Sequence, residues 1–137
     1  MAVVEELLRS ESNGTVSFGN HKLAQKAKVE DFKHAGDLLK VKTYNEITKL
    51  EKNGMFLYES VPGTSVLNFK ETESGVEFVV EGAEDAQITV GLTDDTEYEV
   101  FVADKSTGTM RTGLGGKLSL SVELEAAGEV AVKIKQV

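Results

Sequence analysis

His21 and His34 are the only imidazoles in the chain, and there is no cysteine. Acid–base or metal chemistry at an imidazole needs a partner at defined geometry. Neither a His-x3-His pair nor a nearby Ser/Asp arrangement accompanies either residue. Both are therefore expected at the surface. Lack of cysteine removes disulfides, thiolate metal sites and thiol nucleophiles from consideration.

The acids offer more. Asp94, Asp95 and Glu97, with Asp104 across the following strand, carry the hard oxygen ligands that Ca²⁺ takes. The Asp-x-Asp-x-Asp-Gly spacing of a calcium loop is missing, so an acidic turn is expected, with no cofactor and Ca²⁺ as the metal these four would suit. Gly113-Leu-Gly115-Gly116-Lys117 has the look of a phosphate loop, but Arg111 stands where the first glycine belongs and Leu118 replaces the Mg²⁺-binding hydroxyl. A hairpin turn is expected there. Asn13-Gly14-Thr15 is formally a glycosylation sequon and is read as a turn. Fourteen acids fall in residues 63–137. A carboxylate pair for glycoside hydrolysis depends on a separation in space that spacing along the chain does not give. Three aromatics are contact candidates on which a sugar ring would stack in the absence of tryptophan: Tyr58, Tyr98 and Phe101, the last outside the apolar stripe of its strand and either covered by the first half of the chain or exposed as a contact.

These residues must be held by strands. The 137 residues include 17 Val, 11 Thr and 3 Ile against 10 Ala, a composition suited to pleated surfaces. Leu118, Leu120, Val122 and Leu124 alternate with Ser119, Ser121 and Glu123, and the same period of two recurs at Ile88/Val90/Leu92, Tyr98/Val100/Val102 and Val130/Val132/Ile134. Turn clusters separate these runs at Thr93–Asp95, Asp104–Gly108, Gly113–Gly116 and Ala126–Gly128. Upstream, Asn13-Gly14, Asn53-Gly54 and Glu73-Ser74-Gly75 are flanked by short apolar runs and read as hairpins. Residues 21–43 fit a strand or a short helix equally. The expected fold is all-β, an antiparallel β-sandwich arrangement of about ten to twelve strands. Two packed subdomains are expected, 1–62 and an immunoglobulin-like 63–137, joined near Pro62.

Charge divides at the same place. Residues 1–62 balance nine basic groups with nine acids, and residues 63–137 carry the whole net charge of -8. That acidity argues against a nucleic-acid partner. No apolar run reaches the length of a membrane span. Met1 to Leu8 carries Glu5 and Glu6 where a secretory signal would be basic, so a soluble chain with a cytoplasmic default is expected.

Three stretches carry resemblances. Leu92-Thr-Asp-Asp-Thr96-Glu-Tyr98-Glu-Val100 resembles the tyrosine corner of fibronectin type III and immunoglobulin-like sandwiches, in which the tyrosine hydroxyl bonds to upstream backbone. Residues 108–124 are similar to the last strands of β-sandwich accessory domains of carbohydrate-active proteins, without the usual Trp and Tyr platform. Residues 14–21, 46–60 and 61–64 resemble short bacterial proteins bearing the name endosialidase. That resemblance implies a glycan-active enzyme or its accessory subunit; sialidase-type sites use three arginines and often a tyrosine nucleophile, whereas this chain has Arg9 and Arg111. From the residues themselves, with no nucleophile–base pair and no phosphate cradle, the expectation is a non-enzymatic binding or assembly module. Its partner would be a protein, a second copy of itself, or a carbohydrate.

Overall fold

A computed structural model describes residues 3–137 as thirteen strands without helices among them. The strands are β1 (Leu8–Ser10), β2 (Val16–Phe18), β3 (Ala27–His34), β4 (Asp37–Thr43), β5 (Thr48–Lys52), β6 (Met55–Val61), β7 (Ser65–Thr72), β8 (Gly75–Glu81), β9 (Ala86–Gly91), β10 (Glu97–Val102), β11 (Lys105–Arg111), β12 (Lys117–Val122) and β13 (Val130–Gln136). They form two antiparallel sheets packed as a β-sandwich, one in the order β1-β2-β7-β8-β13-β10-β11 and the other β12-β9-β6-β5-β4-β3. Residues 1–62 and 63–137 both contribute strands to each sheet, and the pairings β2–β7 and β6–β9 bridge Pro62. Among the described residues no helix is long and apolar enough to cross a membrane.

Local chemistry explains most elements. Every second residue of β12 is buried, as are Ile88 and Val90 of β9 and Val130, Val132 and Ile134 of β13. Asn53 and Gly54 take φ of 51° and 78°, the paired positive values that a two-residue hairpin of the right twist needs. The ambiguous segment resolves as the β3–β4 hairpin, turned by Ala35 and Gly36. Two expectations are corrected. Gly113–Gly116 is no hairpin turn, because it carries the chain from β11 in one sheet to β12 in the other. The turn placed at Asp104–Gly108 is only Ala103-Asp104, and residues 105–111 continue as β11. All seven residues of β11 are exposed, so it has no alternating pattern to reveal it.

Tyr58 of one sheet inserts between Phe18, Phe69 and Phe78 of the other, with ring centroids 5.2 to 6.2 Å apart and edge-on geometry. Its hydroxyl meets a buried polar network around the crossing from β6 to β7. Thr64 Oγ1 is hydrogen-bonded to Tyr58 Oη and to Ser60 Oγ, each at 2.7 Å. Thr48 Oγ1 donates to the Thr64 carbonyl at 2.7 Å and lies 2.8 Å from Thr43 Oγ1. Burial holds the Tyr58 phenol well above its usual range, against the opposing hydrogen bonds from Thr64 and Ser60.

His21 belongs to this region, which corrects its expected surface placement. It is 4% exposed, with Nδ1 2.7 Å from Ser65 Oγ and Nε2 buried without a hydrogen-bond partner. Burial lowers its pKa below 6.5; Glu81 opposes that shift and Lys22 adds to it. Between the lowered folded value and the unfolded one the unfolded chain binds more protons, so stability falls as pH drops below 6.5 and the loss is complete below the folded value. Chemical denaturation at pH 7 and pH 5 should show this loss in the native protein and not in His21→Gln; equal pH slopes for the two would refute the assignment. His34 is half-buried, with Nδ1 2.7 Å from Ser10 Oγ and Nε2 3.2 Å from the Gly14 carbonyl.

Candidate functional site

Side chains of the seven-stranded sheet that point away from the core line a groove of about 360 Å³, within the roughly 300–1,000 Å³ usual for small-ligand sites. Strand register builds its floor. Phe101 of β10 sits beside Lys133 of β13, Lys133 beside Glu77 of β8, and Glu77 beside Lys70 of β7. Val79, flanked by Ala131 and Leu67, forms the adjacent row. Phe101 is half-buried, so its outward ring is partly covered and partly open to a ligand. Lys133 Nζ lies 4.0 Å from Glu77 Oε1, a loose surface pair worth little to stability.

The rim comes from two irregularities. A β-bulge between Leu67 and Lys70 places Asn68 at φ 56°, which re-aims its side chain relative to its neighbours. The Thr15 hydroxyl lies 3.0 Å from Asn68 Oδ1 and 2.6 Å from Asn13 Oδ1, on the β1–β2 turn. Asn13 Oδ1 also accepts from the Thr15 backbone N–H at 3.2 Å, so the Asn13 NH₂ is the group this side chain offers as donor. Asp104, at the tip of the β10–β11 turn, completes the opposite rim. The lining thus combines the outward Phe101 ring with carboxylates, ammonium groups and amides, over the buried Phe78 and Val132 of the sheet, and holds no histidine.

The other sequence candidates lie elsewhere. Tyr58 is 0% exposed and Tyr98 is 3% exposed, so neither offers a ring face for stacking; both are corrected to core residues. The Thr93 amide donates to Tyr98 Oη at 3.2 Å. Asp94, Asp95 and Glu97 stand at one end of β10 and Asp104 at the other, roughly 20 Å away at strand rise, so the four cannot share one cation. Asp95 Oδ1 instead accepts from Arg111 Nε at 3.0 Å. Among the described residues no three His, Asp or Glu side chains gather in a metal-holding group. Arg9 and Arg111 lie on β1 and β11, the two outer edges of the seven-stranded sheet, and do not converge on one carboxylate.

Of the groove residues, the sequence marks Phe101 as a contact candidate and Asp104 only as a possible calcium ligand, and it does not mark Asn13, Asn68, Lys70, Glu77 or Lys133. Parity along β8 and β13 already turns Glu77 and Lys133 outward; which strands lie side by side is what parity leaves out. What results is a two-sheet antiparallel β-sandwich with a polar groove and one aromatic ring on an outer sheet face. No protein-family model, curated protein or solved structure matches the chain.

Proposed function

We propose that the protein is a non-enzymatic binding module that takes a saccharide in the groove of its seven-stranded sheet. The observation that carries this reading is the half-buried Phe101 ring set among Lys133, Glu77, Asn68 and Asn13. A sugar ring has an apolar face that stacks on an aromatic ring and a rim of hydroxyls that both donate and accept. Carboxylates, ammonium groups and amides around a ring answer both demands. The groove floor, Phe101, Lys133, Glu77 and Lys70, lies on paired strands, so these groups are held in fixed relation before a ligand arrives.

A glycan array followed by calorimetry tests the reading. Phe101→Ala is expected to weaken the best-bound oligosaccharide about tenfold, equivalent to ~1.4 kcal/mol, while leaving the fold intact. Unchanged affinity in that variant, or no binding to any glycan, would refute it. A hydrolytic role draws on Glu77 and Asp104, which both line the groove. Turnover of sialylated or neutral oligosaccharides that is lost in Glu77→Gln would replace binding with catalysis.

A further inference from the structure

The sandwich has four edge strands, and three of them are defended against pairing with another chain. Strand β1 has only three residues. Strand β3 is broken by a register shift between Val29 and Phe32, with Asp31 at φ 56°. Strand β11 pairs through a bulge at Val100/Phe101 and carries Gly108 at φ 111°. Bulges, short length and distorted backbone are how sheet edges avoid edge-to-edge association. Strand β12 has none of these: Lys117 through Val122 pair with Gly91 through Ala86 without interruption.

The hydrogen-bond phase shows which groups β12 presents outward. Leu92 N–H donates to the Gly116 carbonyl at 2.8 Å, so the pair 116/92 bonds toward β9, and at every second residue so do Leu118, Leu120 and Val122. Lys117, Ser119 and Ser121 therefore turn their N–H and C=O groups to the open edge. The 2.8 Å contact between Ser119 Oγ and Thr89 Oγ1 agrees, because side chains approach most closely across pairs that do not exchange main-chain bonds.

From this edge we infer that β12 is a self-association site, pairing antiparallel with β12 of a second copy about a two-fold axis at Leu120. In that register Ser119 faces Ser121 of the second copy and Lys117 faces its Glu123, and each relation occurs twice by symmetry. About eight main-chain hydrogen bonds can form with no unpaired donor between them. Leu118 comes opposite Val122 on the inner face, extending both cores. The segment is self-complementary in charge: Lys117 and the exposed Glu123 lie on the same outer face, at the two ends of a run whose middle is neutral. Shifting the pairing by two residues removes the Lys117–Glu123 match. Lys117 Nζ rests 4.6 Å from the Phe56 ring centroid on β6, beyond β9, so it leaves that ring and swings to the open edge to meet Glu123 of the second copy. An edge-only contact falls at or below the small end of stable interfaces, so the dimer is weak and concentration-dependent.

Sedimentation velocity on the full chain from micromolar to millimolar concentration, at physiological salt, is the test. The native protein should shift from monomer toward dimer as concentration rises. Ser119→Pro removes an N–H that the fold itself does not use, and it should remain monomeric with an unchanged circular dichroism spectrum. Glu123→Lys should weaken the dimer about tenfold although it lowers the net charge, and adding Lys117→Glu to it should restore pairing. If Ser119→Pro fails to fold, the charge-reversal pair decides alone. A native protein that stays monomeric throughout, or a dimer indifferent to Glu123→Lys, would overturn the inference, the second result pointing to a different surface.

Discussion

Phe18→Ala should lower the stability of the protein by about 3–5 kcal/mol, the usual cost of emptying a buried phenylalanine site. Phe18 is 0% exposed and packs edge-on against Tyr58 at 5.2 Å and Phe69 at 5.8 Å. These rings come from both sheets, so the cavity would open at the place where the sandwich is held together and neighbours could collapse into it only by moving a strand. Against a typical domain stability of about 5–15 kcal/mol, that loss is a large fraction of the total. Urea denaturation measures it directly, and a loss under about 1 kcal/mol would mean that the site relaxes in a way the packing does not suggest. Phe101→Ala is the matched control: its ring lies on the opposite face of the same sheet, so its effect should appear in ligand affinity and hardly in stability.

Thr64→Val should cost about 1–3 kcal/mol for a different reason. Valine nearly preserves the shape of threonine, so little packing is lost. What disappears is the Oγ1 hydrogen-bonded to both Tyr58 Oη and Ser60 Oγ, and both of those residues are fully buried. Tyr58 Oη and Ser60 Oγ then keep only each other as partners in a buried surround, and the unmet part of their hydrogen-bonding demand carries a desolvation penalty. The triple variant Tyr58→Phe/Ser60→Ala/Thr64→Val should recover much of the loss, since replacing all partners by apolar groups removes the unmet demand. Denaturation of the single and triple variants decides the matter; a triple variant no more stable than Thr64→Val would show that shape, and not unsatisfied hydroxyls, sets the penalty.

How much of this was readable beforehand depends on whether the signal was local. The alternation of Leu118, Leu120, Val122 and Leu124 is complete within one segment and marks β12 without reference to anything else. Asn53-Gly54 likewise encodes its hairpin in two residues. Strand β11 was hidden because a strand exposed on both faces has no hydrophobic period. His21 looked like a surface residue because the partner that accommodates it, Ser65, lies 44 positions away. The hydroxyl network was illegible for a related reason: threonine and serine suit strands at the surface equally well, and only the crossing of β6 into β7 buries Thr43, Thr48, Ser60 and Thr64 together.

The groove divides the same way. Phe101 was identifiable as an outward aromatic from its position between Val100 and Val102. Its neighbours were not, because Lys133 and Glu77 become neighbours only through a pairing of strands 56 positions apart, and Asn68 reaches the rim only through a bulge. The two acids of the groove, Glu77 and Asp104, were visible as residue types among fourteen. No local feature separated them from the acids that are simply solvated, such as Asp94.

The most direct test of the proposed binding role is an amide proton–nitrogen correlation titration of the isotope-labelled protein with a panel of oligosaccharides at millimolar concentration. The account predicts saturable shifts concentrated on Phe101, Glu77, Val79, Lys133 and Asn68, and their loss in Phe101→Ala. Spectra that no sugar perturbs, or perturbations confined to the six-stranded sheet, would contradict it.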